Sequence, residues 1–337
     1  MSLLAYSDTL SAPATYSTLC AHCHGPEATG YAADHAPSLV NPTFLESASD
    51  IYLRLSIEQG RPGTSMAAYD RSVGGPLGPA AIGRLVTWIR SHGPPARELA
   101  SVAAGDSTRG QPLYAARCQS CHGDLRRRGD AVMLANAGFL AVANDAFLRH
   151  AILEGRPGTP MVSFRSALSD SEVADIVAYV RTFAHPLSSS RLHPPTGKEP
   201  LFAYPHGRAP AFTLRDNRFV GVDQVDHALQ QRRRLVIVDA RPESDWMTTH
   251  ITGAVSIPHY QLKRLAEIPK DAWVVAYCAC PHHLSGVVVD SLRARGYPHA
   301  LVLDEGILEW ERRGYPIVAA PGAALPPAEM RPSATAH

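Results

Sequence analysis

Cys20-Ala21-His22-Cys23-His24 places two thiols one helical turn apart with an imidazole directly after the second. The same spacing returns at Cys118-Gln119-Ser120-Cys121-His122. C-x-x-C-H is the attachment signature of c-type haem: each thiol can form a thioether to a vinyl group, and the histidine then lies under the iron as its proximal ligand. The candidate cofactors are therefore two covalently bound haem c groups. Cys20, Cys23 and His24 would hold one, and Cys118, Cys121 and His122 the other.

Each iron then needs either a second protein ligand or an open position. Met66 lies 42 residues after His24, and Met161 lies 39 after His122. Both close a Gly-Arg-Pro-Gly-Thr-x-Met segment, residues 60–66 and 155–161. Proline and glycine can hold such a loop extended, and a thioether sulfur is a soft ligand whose pairing with histidine raises the reduction potential. The rival role for these methionines is filling gaps in a core. His22, His35 and His150 compete as iron ligands, but none has a matched partner in the other copy. Gln119-Ser120 stands where His22 would recur, and Leu55 stands opposite His150. All three are read as surface or capping residues.

The elements that must position these groups are duplicated as well. From Asp50 to Met66 and from Asp145 to Met161, at an offset of 95, ten of seventeen positions are identical. Asp50 to Ile57 reads as a helix stopped at Gly60. A closing helix follows in each copy. Ile82, Leu85, Val86 and Ile89 in the first, and Val173, Ile176, Val177 and Val180 in the second, keep the i, i+3, i+4, i+7 spacing of a single face. Pro79 suits the first turn of one closing helix, and Ser169 with Glu172 forms a capping box at the start of the other. Two small helical domains are expected, over residues 1–97 and 98–186. Residues 187–212, rich in Pro, Ser and Gly, read as a linker.

After the linker, apolar strands alternate with helices. Val236-Ile237-Val238, Ala254-Val255-Ser256-Ile257, Trp273 to Tyr277 and Ala300 to Leu303 are strand candidates. Val287–Arg295 and Ile307–Arg313 are helix candidates. The alternation predicts an α/β domain with a parallel sheet over 213–318, followed by a loose Ala/Pro-rich tail at 319–337. The chain as a whole is expected to be multidomain.

Composition narrows the setting. The 337 residues are 45% apolar and 19% charged, with net charge +1. Such a balance offers no reason to expect nucleic acid as a partner, and no run of about 18 apolar residues predicts a membrane span. Of six cysteines only Cys278 and Cys280 lie outside the haem motifs, so no disulfide framework is expected. Covalent haem attachment implies a periplasmic or otherwise extracytoplasmic location. Met1-Ser2-Leu3-Leu4-Ala5 shows no export signal.

Residues 1–186 resemble the class I cytochrome c family as two tandem monohaem domains. The resemblance rests on both haem motifs, both methionines and both closing helices. It implies all-α domains that exchange electrons with redox partner proteins such as a cytochrome, reductase or oxidase. The segment before Cys20 is short for the family's N-terminal helix.

Residues 213–318 resemble a rhodanese domain. The likeness is carried by Val236-Ile237-Val238-Asp239-Ala240-Arg241, by His250-Ile251-Thr252-Gly253-Ala254, by Tyr277-Cys278, and by Trp310 with Gly314-Tyr315-Pro316. It implies that Cys278, closing the central strand, takes sulfane sulfur as a persulfide from small sulfur anions. A helix N-terminus beyond the loop would stabilise the thiolate, with Ser285 as its cap. The loop Cys278-Ala279-Cys280-Pro281-His282-His283-Leu284-Ser285 departs from the family by offering no Arg or Lys before Arg293, so a cation would have to come from His282 or His283. Glu305-Gly306 replaces a pair of glycines. Cys280 could resolve a persulfide by thiol exchange. A metal site built from both cysteines and the histidines is another reading.

The expected function is electron transfer by a dihaem cytochrome joined to a sulfane-sulfur domain, with sulfurtransferase or sulfur-oxidising activity at Cys278. The alternative is an electron-transfer subunit of a respiratory complex whose rhodanese-like domain is a non-catalytic docking module. An oxidase or peroxidase with one open haem is a third option, and the paired methionines argue against it.

Overall fold

The computed structural model describes residues 9–125, 127–186, 188–279, 282–323 and 325. Cys280, the segment Met1–Ala5 and most of the Ala/Pro tail lie outside them. The chain forms two compact units: residues 1–62, 68–71 and 76–187, and residues 63–67, 72–75 and 188–337. The first is helical and the second α/β. Among the described residues no helix is long and apolar enough to cross a membrane.

The helical unit repeats one order of helices. The first half comprises α1 (Ala12–Leu19), α2 (Ala21–His24), α3 (Pro42–Ser47), α4 (Asp50–Gln59) and α5 (Pro79–Arg90). The second comprises α6 (Ser107–Arg117), α7 (Gln119–His122), α8 (Ala137–Val142), α9 (Asp145–Glu154) and α10 (Asp170–Arg181). The apolar stripes expected in the closing helices are the buried faces of α5 and α10. Pro79 occupies the first turn of α5, and Ser169 with Glu172 closes a capping box on α10. α1 is three residues shorter than α6, in keeping with the short segment before Cys20. Gly110 in α6 marks the crossing with α10: a Cβ there would lie 1.9 Å from the Asp175 carbonyl oxygen, so only glycine admits this approach.

The halves pack crosswise, α3 against α9 and α4 against α8. An aromatic cluster fills the seam, with Tyr52 stacked on Phe147 at 4.7 Å and Phe44 and Phe139 edge-on to it. His150 belongs to this interior, contrary to the surface role expected of it. It is 6% exposed, and its Nε2 makes no hydrogen bond and lies 3.8 Å from Glu46.

The α/β unit carries β1 (Phe219–Val220), α11 (Val222–Gln230), β2 (Val236–Asp239), α12 (Glu243–Trp246), β3 (Thr249–Ile251), β4 (Ala254–Ser256), β5 (Val274–Tyr277), α13 (Leu284–Ala294), β6 (Ala300–Leu303), α14 (Gly306–Arg312) and β7 (Ile317–Ala319). Five strands form a wholly parallel sheet in the order β1-β6-β5-β2-β4. Successive residues of each strand enter two separate apolar clusters: Val236 and Val238 pack with Val288 and Leu292 of α13, and Ile237 with Trp310 of α14 and Val225 of α11. Burial on both faces explains why these strands read as unbroken apolar runs.

β3 and β7 form a separate antiparallel ribbon. The ribbon takes in Ala319, the first residue of the expected tail, and Ala320 N–H donates to the Thr248 carbonyl. Among its described residues the segment expected as a linker has no helix or strand, yet it docks on this unit. Leu201 and Phe202 pack on the core, and Leu192 N–H donates to Met247.

Candidate functional site

Each haem motif is a short helical turn whose backbone is closed onto its first cysteine. Cys23 and His24 N–H groups donate to the Cys20 carbonyl at 3.1 and 3.0 Å, and Cys121 and His122 to Cys118 at 3.2 and 2.9 Å. This turn puts both thiols of a pair on neighbouring positions of one surface. A tyrosine from the preceding helix pins each motif from behind: Tyr16 donates to the Gly25 carbonyl at 2.6 Å, and Tyr114 to Gly123 at 2.7 Å.

The histidines are oriented alike. His24 Nδ1 donates to the Pro37 carbonyl at 2.8 Å, and His122 Nδ1 to the Val132 carbonyl at 2.7 Å. A carbonyl can only accept, so each ring is held as the tautomer whose Nε2 carries a lone pair. Burial lowers both imidazole pKa values, which the backbone hydrogen bonds oppose only in part, and so favours the neutral form a metal requires. Burial also pushes the Cys20 thiol up to about 12 and the Cys118 thiol to about 11. Both of these sulfurs are held as neutral thiols. The donor set fits haem c: a pair of cysteines and one oriented imidazole in each motif.

The two methionine loops share a local design. Met66 N–H and Met161 N–H each donate to the threonine hydroxyl two residues earlier, Thr64 and Thr159, at 3.2 Å. Both methionines are half-buried. His35 sits on an exposed turn and His22 is partly buried, each without a counterpart in the other half.

Cys278 lies in the α/β unit at the carboxyl end of β5, the middle strand of the sheet. The connections run outward from β2 to β4 on one side and from β5 through β6 on the other. The loop after β5 therefore occupies the position where open α/β sheets bind ligands. The cysteine is 1% exposed, and its Sγ lies 3.3 Å from the Ser285 hydroxyl. This corrects the role expected of Ser285. Helix α13 begins at Leu284, with His283 at the N-cap position making no side-chain cap, and Ser285, inside the first turn, directs its hydroxyl to the thiol instead.

The loop backbone is fixed by α14. Ile307 N–H donates to the Cys278 carbonyl at 2.9 Å and Leu308 N–H to that of Ala279 at 3.3 Å. Gly306 allows this approach: its φ is +73°, and a Cβ would stand 2.8 Å from the Ala279 carbonyl oxygen. Glu305 serves another purpose, accepting from the Val222 N–H at 3.0 Å to cap α11, which has no side-chain cap of its own. The departure from a glycine pair thus retains the glycine that the Cys278 loop requires.

His282, the cation the loop could offer, is engaged. Its Nε2 lies 2.6 Å from Asp304, which also binds Arg215 at 2.7 Å. Arg215 was not legible as part of this site, because it lies 63 residues before Cys278 and is brought there by its ion pair with Asp304.

Below the loop, Asp239 accepts from Arg241 and from the Tyr277 hydroxyl at 2.7 Å, and Arg241 also donates to the Thr249 carbonyl at 2.6 Å. Burial acts against the Arg241 charge, but Asp239 outweighs it and holds the guanidinium protonated. This motif is a buried brace joining β2, β5 and β3, and it does not touch the thiol.

Known proteins divide along the same line. Residues 222–313 match the rhodanese-like domain family, and residues 105–180 match the family described as cytochrome c oxidase, cbb3-type, subunit III. A sulfurtransferase of Allochromatium vinosum is 35% identical over 107 residues, which are 30% of this chain and 99% of that protein. The cbb3-type cytochrome c oxidase subunit CcoP of Azospirillum sp. is 27% identical over 179 residues, 48% of this chain and 57% of the relative. Dihydro-haem d1 dehydrogenase of Pseudomonas aeruginosa is 31% identical over 138 residues, 38% of this chain and 27% of the relative. The chain thus spans well under two thirds of the last two. The cytochrome likeness implies haem c. Through its C-terminal domain the chain belongs to the rhodanese-like family, and it joins that domain to a cytochrome c electron-transfer domain on one polypeptide.

Proposed function

We propose that the chain is a dihaem electron carrier with a sulfane-sulfur site. Residues 1–97 and 98–186 would each form a cytochrome c domain, with thioethers at Cys20/Cys23 and Cys118/Cys121. The axial pairs would be His24/Met66 and His122/Met161. Haem c, when bound, supplies a one-electron couple. The observation that carries this reading is the matched imidazole geometry, Nδ1 donating to a backbone carbonyl in both halves and Nε2 left for iron. Side chains at both axial positions favour relay over substrate binding. The partners would be redox proteins, in a periplasmic or otherwise extracytoplasmic compartment. Pyridine haemochrome assay against protein mass tests the reading. Two haems per chain are expected, falling to one in Cys20→Ser/Cys23→Ser and in Cys118→Ser/Cys121→Ser. One haem in the unaltered chain overturns it.

Substrate chemistry would belong to Cys278. Its thiolate attacks the outer sulfur of thiosulfate, the S–S bond breaks, sulfite leaves with the electron pair, and the cysteine keeps a persulfide. The N-terminus of α13 and the Ser285 hydroxyl would stabilise both anions. The second reading, a non-catalytic docking module, is favoured by one observation: Arg215 and His282 are already engaged with Asp304, which lowers the positive field available to an incoming anion. Failure of Cys278 to load from thiosulfate, with haem reduction by a partner cytochrome intact, would select it.

A further inference from the structure

Each half of the helical unit hydrogen-bonds to the proline that precedes the methionine of the other. Asn41 begins α3, and its Oδ1 accepts from the Phe44 N–H at 3.3 Å. Its Nδ2 donates across the seam to the Pro157 carbonyl at 2.9 Å. Asn136 begins α8 in the same way, accepting from Phe139 N–H at 2.9 Å, and its Nδ2 donates back to the Pro62 carbonyl at 2.8 Å. The two asparagines share the offset of 95 that relates the repeats. Both are buried, 6% and 5% exposed. Pro62 and Pro157 stand four residues before Met66 and Met161 in the repeated segment. An amide has one acceptor and two donors, so a single side chain can start its own helix and hold a remote loop.

The helices that present these amides are themselves anchored. Arg90 of α5 donates to the Leu45 and Ala48 carbonyls at the end of α3 and pairs with Asp50. Arg181 of α10 donates to the Leu140 and Ala143 carbonyls at the end of α8 and pairs with Asp145. The two clasps are not identical. Thr43 donates to the Gly155 carbonyl at 2.8 Å and accepts from Arg156 at 3.3 Å, so the Met161 loop has further ties to the first half. Gly138, the matching position, has no side chain to do the same for the loop of Met66.

We propose that Asn41 positions the loop of Met161 and Asn136 the loop of Met66, so that each half sets the strength of the distal ligand in the other. This rests on the His/Met reading of both haems. Looser methionine ligation lowers a haem's potential, and the two sites would then be coupled through the seam.

The test uses the full haem-loaded chain. Met66→Ala and Met161→Ala first assign the methionine-to-ferric-iron charge-transfer band and each midpoint potential to one loop. Asn41→Asp keeps the cap acceptor but cannot donate to Pro157. It should enlarge the methionine-off ferric population of the Met161 site roughly fivefold, the weight of one net hydrogen bond, and lower that midpoint alone. Asn136→Asp should do the same to the Met66 site. Asn41→Ser and Asn136→Ser also cap but are too short to cross the seam, and they should reproduce both results if the aspartates fold poorly. Changes confined to the variant's own half, or no change, would overturn the proposal. Bands that survive both methionine substitutions would overturn the His/Met reading itself.

Discussion

The helical and α/β units carry their chemistry in opposite ways. In the helical unit the reactive groups are contiguous, Cys20 to His24 and Cys118 to His122, and the fold repeats one solution around each. Backbone carbonyls orient the imidazoles and a tyrosine holds each turn. In the α/β unit the candidate group is Cys278, and its setting is gathered from Arg215, Ser285, Asp304 and Gly306, far apart in sequence. A local motif survives changes in its surroundings, whereas an assembled site depends on its scaffold. Substitutions should therefore separate the two chemistries cleanly.

The largest effect is expected at the brace of the α/β unit. Arg241→Met leaves the fully buried Asp239 unpaired and should cost about 3–5 kcal/mol in urea denaturation of that unit. Haem content should not move. A loss of haem in this variant would break the division. Gly306→Ala comes next. Strain at its positive φ and the clash with the Ala279 carbonyl should cost about 1–3 kcal/mol and abolish sulfur loading, read as cyanide-labile sulfur per chain. On the other side, Arg181→Ala removes two hydrogen bonds to the end of α8 and should destabilise the helical unit by about 1–3 kcal/mol in thermal unfolding, with sulfur loading intact. The smallest effect on stability is expected of Ser285→Ala, within about 1 kcal/mol, while the persulfide on Cys278 should decay faster than in the parent chain.

Legibility followed the same division. The haem motifs, the closing helices and four of the five strands of the parallel sheet could be read because each is a local pattern: a spacing, a 3.6-residue stripe, an apolar run. The ribbon of β3 and β7 could not, because its three-residue strands pair positions nearly seventy residues apart. Helix α11 was missed although Val222, Val225 and Ala228 are buried along it, since its capping carboxylate, Glu305, comes from another element. Ser285 was read as a cap because the helix was read from Val287, three residues after its start at Leu284, and the true start turns its hydroxyl to Cys278. His150 was expected at the surface because it lacks a partner in the repeat, but its burial is set by the seam between halves. Asn41 and Asn136 did leave a signal, the shared offset of 95, but a matched asparagine becomes informative only when its Nδ2 is seen to cross the seam.

The central claim is that sulfur binds in the α/β unit while electrons move in the helical one. It is tested most directly by cyanolysis and haem assay on one preparation of Cys278→Ser after thiosulfate loading, beside the unaltered chain. The account predicts two haems per chain in both, with one labile sulfur in the unaltered chain and none in the variant. Equal sulfur release from the two proteins would contradict it.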